Sequence, residues 1–144
     1  MTGKRFVDAN VLIYAHDLDA GAKRRVAAAR LVELWDSGQG CLSTQVLQEF
    51  FVNATRKLKT PLARSAAREV VRTYAVWVHT TISPATILRA IEISEVWQLS
   101  FWDSMIIASA EEVNANVLLT EDLNDGQVIA GVTIVNPFGE KARI

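Results

Sequence analysis

The chain has 144 residues, with 15 lysines and arginines against 16 aspartates and glutamates, so its formal net charge at pH 7 is -1. Half of the residues are hydrophobic and 22% are charged, which is typical of a globular domain and disfavours a disordered chain. A single cysteine and two histidines exclude an internal disulfide and a zinc site built from cysteine and histidine.

The first half of the chain alternates short strands with helices. A strand over residues 4–7 ends at Asp8, and a brief helix or turn follows over 11–15. A helical stripe over 22–35 is closed by Gly38 as a C-cap. Residues 41–42 predict a very short second strand. Apolar residues at three- and four-residue spacing then predict a helix that carries Glu49.

A basic helix is predicted next. Thr60 and Pro61 give the cap and first-turn signal for this helix. Its arginines at positions 64, 68 and 72 lie four residues apart, so their guanidinium groups share one face.

The last part of the chain continues the alternation. Residues 77–82 are rich in aromatic and β-branched side chains and predict a third strand. Ser83 and Pro84 open a helix that runs to about residue 97, and another helix starts near Asp103. A fourth strand is predicted at 117–119 and a fifth at 132–135.

Short apolar strands alternating with helices predict the α/β class, with a parallel sheet covered on both faces. The prediction is a three-layer α/β/α domain with about five short central strands, and one domain over 1–144. The N-terminus lacks the apolar run of a signal peptide, and no uncharged stretch reaches roughly 18 residues. We therefore expect a cytoplasmic protein without a membrane span.

The small net charge conceals two segments of opposite charge. Residues 23–72 contain ten basic and four acidic side chains, whereas residues 92–125 contain eight acidic side chains and no basic one. Such asymmetry indicates a basic flank that attracts phosphate beside an acidic centre that needs cations. Two solvated faces of opposite charge would give the same pattern.

Four acidic residues fall at positions that the predicted sheet brings toward one edge. Asp8 follows the first strand and Asp122 follows the fourth, so they converge if these strands are neighbours. Asp103 opens a helix, and Glu49 lies on a helix whose other periodic positions are apolar. Clustered carboxylates without cysteine or histidine favour Mg²⁺ or Mn²⁺. Taken singly, Asp103 also fits a helix cap and Asp122 a turn.

Four sequence stretches together resemble the acidic motifs of the PIN-domain nucleases. They are FVDANVL at 6–12, STQVLQEF at 43–50, SFWDS at 100–104 and LTEDL at 119–123. Within that superfamily the chain is most similar to the VapC toxins of bacterial toxin–antitoxin modules. The resemblance implies that Asp8, Glu49, Asp103 and Asp122 are the catalytic and metal-binding residues. It also implies supporting roles for Asn10 and Thr120, and an extra acid at Asp125.

The same resemblance implies a metal-dependent endoribonuclease with Mg²⁺ or Mn²⁺ as cofactor. It further implies an RNA substrate, a small cognate antitoxin and a homodimer. Phosphate contacts hold RNA without reading its sequence. We expect them from the basic residues Arg56, Lys57, Lys59, Arg64, Arg68 and Arg72.

Other functions are less well supported by the motifs. A haloacid-dehalogenase-type phosphatase needs a second aspartate where the chain has Asn10, and a lysine from a later loop that the chain does not supply between 59 and 141. The chain has neither a dinucleotide-binding glycine motif nor a Walker loop. A non-catalytic RNA-binding or interaction module on the same fold stays open as the alternative.

Overall fold

The computed structural model describes residues 3–139 as a five-stranded sheet with six α-helices. In chain order the elements are β1 (Lys4–Val7), α1 (Ala9–His16), α2 (Ala22–Ser37), β2 (Gly40–Cys41), α3 (Thr44–Arg56), α4 (Arg64–Tyr74), α5 (Pro84–Trp97), α6 (Phe101–Glu112), β3 (Ala115–Leu119), β4 (Val128–Ile129) and β5 (Val132–Val135). A single turn of 3₁₀ helix, Ala75–Trp77, follows α4.

The strand order is β2-β1-β3-β5-β4, and all neighbours run parallel except β4, which is antiparallel to β5. In the central pair, Val7 at the end of β1 lies opposite Leu119 at the end of β3. The residues that follow these two strands therefore start from adjacent points on one edge of the sheet. The strand that precedes Asp8 and the strand that precedes Asp122 are therefore neighbours, as their predicted convergence requires.

The core covers both faces of the central strands. Phe6 and Val7 are consecutive in β1, Leu118 and Leu119 are consecutive in β3, and all four side chains are at most 2% exposed. Successive side chains of a strand point to opposite faces, so both faces are buried at the C-terminal ends of these two strands. The structure confirms the predicted α/β class. Within residues 3–139, no helix is both long and apolar enough to cross a membrane.

The predicted third strand over 77–82 is wrong. Only one isolated bridge, between Leu42 and Val78, forms there, and Trp77 closes the 3₁₀ turn. The Trp77 indole packs against Tyr74, with ring centroids 4.9 Å apart, and over the backbone of Gly40. A Cβ atom at position 40 would lie 2.7 Å from that ring. The aromatic residues of this segment serve tertiary packing and not a strand ladder.

Two helix starts differ from the prediction, and one strand was missed. Helix α4 begins at Arg64, with Ala63 at the N-cap position, and the Thr60 hydroxyl donates to Asp19 (2.8 Å) instead of capping a helix. Helix α6 begins at Phe101 with Ser100 as its N-cap, which leaves Asp103 in the first turn. The two-residue strand β4 was not predicted. The Ser83 cap of α5 and the left-handed Gly38 after α2 agree with the prediction.

Candidate active site

Asp8 lies between the end of β1 and the start of α1, and it is only 7% exposed. Its Oδ1 accepts the N–H of Ala9 (2.7 Å) as the helix cap, and its Oδ2 accepts the Thr120 hydroxyl (2.9 Å). Burial raises the pKa of Asp8 to about 7. These two hydrogen bonds oppose the rise, and the negative charges of Asp122 and Glu49 add to it.

Asn10 and Thr120 connect Asp8 to Asp122. The Asn10 amide nitrogen donates to Thr120 Oγ1 (3.0 Å) and to Asp122 Oδ2 (3.1 Å). The main-chain N–H of Asp122 also donates to Thr120 Oγ1 (3.1 Å). A continuous chain of hydrogen bonds therefore runs from Asp8 through Thr120 and Asn10 to Asp122. The two residues predicted to support the acids touch them directly.

Glu49 and Asp103 approach the same point from α3 and α6. The pKa of Glu49 is raised by burial, lowered by a hydrogen bond from Gln45, and raised by the charges of Asp103 and Asp122. The pKa of Asp122 is likewise raised, mainly by burial and partly by the charge of Asp103. Charge repulsion thus relates Asp8 to Asp122 and Glu49, and it relates Asp103 to Glu49 and Asp122. The structure brings Asp8, Glu49, Asp103 and Asp122 together.

Three of these acids carry raised pKa values because burial and mutual repulsion disfavour their charged forms. A divalent cation offsets both the burial of the charged carboxylates and their mutual repulsion. An oxygen-only donor set suits Mg²⁺ or Mn²⁺. As the side chains stand between residues 3 and 139, no three acidic, histidine or cysteine groups are close enough to enclose an ion. Asp8 and Asp122 point their oxygens at Thr120 and Asn10 instead. The donor chemistry fits a hard cation, provided that these side chains turn toward it.

The Asp125 carboxylate makes its hydrogen bond to a residue outside the group of four acids. Its Oδ1 accepts the main-chain N–H of Asn136 (3.0 Å), which ties the turn after β3 to the segment that follows β5. This contact gives Asp125 a part in holding the loop.

The basic residues predicted to bind RNA are all exposed, and they lie at the end of α3, between α3 and α4, and along α4. Arg72 pairs with Glu69 (2.8 Å), and the Arg64 guanidinium lies 5.1 Å from the centroid of the Phe51 ring. Arg64 and Arg68 stand at the rim of a groove of about 440 Å³ between α3 and α4. The groove is lined mainly by apolar side chains, among them Leu47, Phe51, Val52 and Val71.

Sequence reasoning missed two groups that hold the site in place. Glu121, next to Asp122, pairs with Lys23 (2.9 Å) and accepts the hydroxyl of Tyr14, so helices α1 and α2 restrain the loop after β3. Gln45 is buried beside Glu49. A polar residue one turn before Glu49, on a helix face that is otherwise apolar, is the sequence signal that marks Gln45.

A family model described as the PIN domain matches residues 5–127. The chain therefore belongs to the PIN-domain family, whose members are generally nucleases that use divalent metal ions. No curated protein sequence matches the chain significantly.

Two solved structures share the fold. One is a toxin–antitoxin complex from Klebsiella pneumoniae, with 22% identity and a TM-score of 0.67 over 94% of this chain and 98% of that one. The other is VapBC2 from Rickettsia felis bound to a DNA fragment from its promoter, with 15% identity and a TM-score of 0.59 over 90% and 96% of the two chains. At these identities the likeness establishes a common fold.

Proposed function

We propose that the chain is a Mg²⁺- or Mn²⁺-dependent endoribonuclease and the toxin of a toxin–antitoxin pair. The observation that carries the proposal is the convergence of four carboxylates at one edge of a parallel sheet in a PIN-domain chain. A site that serves only to bind RNA has no use for acids that repel phosphate. The non-catalytic alternative therefore lacks a reason for this cluster.

In the proposed reaction, water attacks phosphorus and loses a proton to solvent, the P–O bond to the leaving ribose oxygen breaks, and that oxygen takes up a proton from solvent. Asp8, Asp103 and Asp122 would hold the metal, and Glu49 would orient the attacking water or hold a second ion. When bound, the metal supplies activation of the water and neutralisation of charge on the phosphoryl oxygens. Asn10 and Thr120 fix the orientation of Asp8 and Asp122 through the hydrogen bonds described above.

The substrate is held through its phosphates by the exposed basic residues, a set that comprises Arg56, Lys57, Lys59, Arg64, Arg68 and Arg72. Contacts of this kind give affinity that depends on salt and little on sequence. They position RNA beside the acids without choosing the cleavage site.

We place the antitoxin on the groove between α3 and α4. The two solved structures described above are toxin–antitoxin assemblies, which supports a protein partner for this chain. An apolar floor with arginines at the rim suits an amphipathic helix with acidic edges. An antitoxin seated there covers Arg64 and Arg68, two of the residues proposed to hold RNA. We also propose that the toxin is a homodimer and acts in the cytoplasm.

Growth of a bacterial host tests the toxin role. Expression of the chain alone should arrest growth, and co-expression of the neighbouring open reading frame should relieve the arrest. The Asp103→Asn variant, expressed at the same level, should be harmless. Harmless expression of a wild-type protein that cleaves RNA in vitro would assign the chain to RNA processing and reject the toxin role.

A further inference from the structure

Gln45 joins two helices that carry acids of the site. It lies on α3 one turn before Glu49, and it is 5% exposed. Its Nε2 donates to the main-chain oxygen of Trp102 (3.3 Å), and hydrogen bonding from Gln45 lowers the pKa of the Glu49 carboxyl one turn further along the same helix. Trp102 directly precedes Asp103 in the first turn of α6. One amide thus contacts Glu49 and the turn that holds Asp103.

The chemistry of the partners fixes the orientation of this amide. A carboxylate and a main-chain carbonyl are both acceptors, so the NH₂ group, which has two donors, must face them. The reversed orientation would set the amide oxygen against two other oxygens. In the orientation that satisfies both partners, Gln45 Oε1 is buried and has no hydrogen-bond partner within residues 3–139.

A buried oxygen without a partner makes Gln45 a poor choice for fold stability alone. Its neighbours on the helix, Val46 and Leu47, are buried and apolar, and an apolar side chain of the same length would fill the position of Gln45 without this cost. What an apolar side chain cannot supply is the pair of donors toward Glu49 and Trp102. The value of the residue lies in those two contacts.

We propose that Gln45 is a positioning residue of the acidic site, which fixes the Glu49 carboxylate relative to the first turn of α6 and so to Asp103. The inference rests on the proposed metal-dependent function, with Glu49 as one of the metal ligands. Partners that hydrogen-bond metal-ligating carboxylates affect metal affinity or activity by about 10- to 100-fold when they are removed. Gln45 is such a hydrogen-bonding partner of the Glu49 carboxylate.

Mn²⁺ binding to the purified full chain tests this role, with the dissociation constant measured by titration calorimetry or electron paramagnetic resonance. Gln45→Met keeps the side-chain length and removes both donors. We expect its Mn²⁺ dissociation constant to rise about tenfold or more, while its melting temperature in EDTA equals or exceeds that of the wild type. A residue with a merely structural role would show the opposite pattern.

Asn53→Leu is the matched control. Asn53 is another amide on α3, and its Nδ2 donates to the main-chain oxygen of Glu49 (2.8 Å), not to the carboxylate. Its loss should leave the Mn²⁺ dissociation constant within about twofold of the wild-type value. If Gln45→Met does not fold, Gln45→Asn serves instead, because its shorter amide cannot span both partners and should weaken Mn²⁺ binding in the same direction.

A double-mutant cycle shows whether Gln45 acts through Glu49. In a Glu49→Gln background, Gln45→Met should change the Mn²⁺ dissociation constant by less than about twofold, because the group it positions is already altered. Wild-type Mn²⁺ affinity in Gln45→Met, or an equal loss in both backgrounds, would overturn the inference while leaving the proposed function intact. Absence of Mn²⁺ binding in the wild type would overturn both.

Discussion

The Thr120 hydroxyl donates to Oδ2 of Asp8 at 2.9 Å, and the two residues lie 112 positions apart in the chain. Thr120 is fully buried, and its oxygen also accepts from Asn10 and from the main chain of Asp122. One hydroxyl therefore links the end of β1 to the loop after β3. This contact holds the Asp8 carboxylate in its buried position at the edge of the sheet.

The buried position of Asp8 predicts a pH dependence of stability in EDTA. Its pKa is about 7 in the folded chain against an ordinary value of 3.8. Below about pH 4 the carboxyl is protonated in both the folded and the unfolded state, so it does not lower the free energy of unfolding. As the pH rises toward 7, the folded state keeps a proton that the unfolded state has released, so stability falls and the cost is complete above 7. At about 1.4 kcal/mol for each pH unit, the full cost is on the order of 4 kcal/mol.

Asp8→Asn removes this charge at nearly constant volume. Urea unfolding in EDTA should show the variant more stable than the wild type by a few kcal/mol at pH 8, with the difference shrinking toward pH 4. The raised pKa values of Glu49 and Asp122 contribute to the slope in both proteins, so the difference reports the Asp8 carboxylate together with its repulsion of these two acids. Parallel stability curves for the two proteins would show that Asp8 is not desolvated.

Metal should stabilise the wild type through the same carboxylates. A cation that binds only the folded state at a hundred times its dissociation constant adds about 2.7 kcal/mol, which raises the melting temperature by roughly 5 to 12 °C. Mn²⁺ should raise the melting temperature of the wild type and scarcely move that of Asp8→Asn or Asp103→Asn. Asp36→Asn, at an exposed position on α2, is the control and should shift like the wild type. Equal shifts in all four proteins would place the metal elsewhere.

The sequence predicts the convergence of Asp8 and Asp122 because each follows a short apolar strand, and parallel strands end at one edge of a sheet. It does not predict the packing of Trp77 over Gly40, since aromatic and β-branched residues favour a strand and a buried turn alike. The two-residue strand β4 is too short to produce a pattern. The partner of Gln45 lies 57 positions away on α6, a contact that helical periodicity does not encode.

The basic helix predicts how RNA binding responds to salt. The double variant Arg64→Glu and Arg68→Glu should bind RNA more weakly and with a shallower dependence on salt, by about one unit of slope for each lost phosphate contact. Arg24→Glu with Arg25→Glu on α2 carries the same change in net charge at exposed positions and is the matched control. Binding of labelled RNA in EDTA, which prevents cleavage, gives both slopes. An unchanged slope in the α4 variant would show that these arginines do not contact RNA phosphates. Their proposed role would then be limited to the antitoxin groove.

Cleavage of a mixed RNA pool by the purified chain tests the central claim, that four carboxylates form a metal-dependent nuclease site. Cleavage should require Mg²⁺ or Mn²⁺, stop in EDTA, and fall by about a hundredfold or more in Asp8→Asn and Asp103→Asn, while Asp36→Asn cleaves like the wild type. Circular dichroism of each variant establishes that it is folded. Wild-type rates in folded Asp8→Asn and Asp103→Asn, or undiminished cleavage in EDTA, would contradict the account.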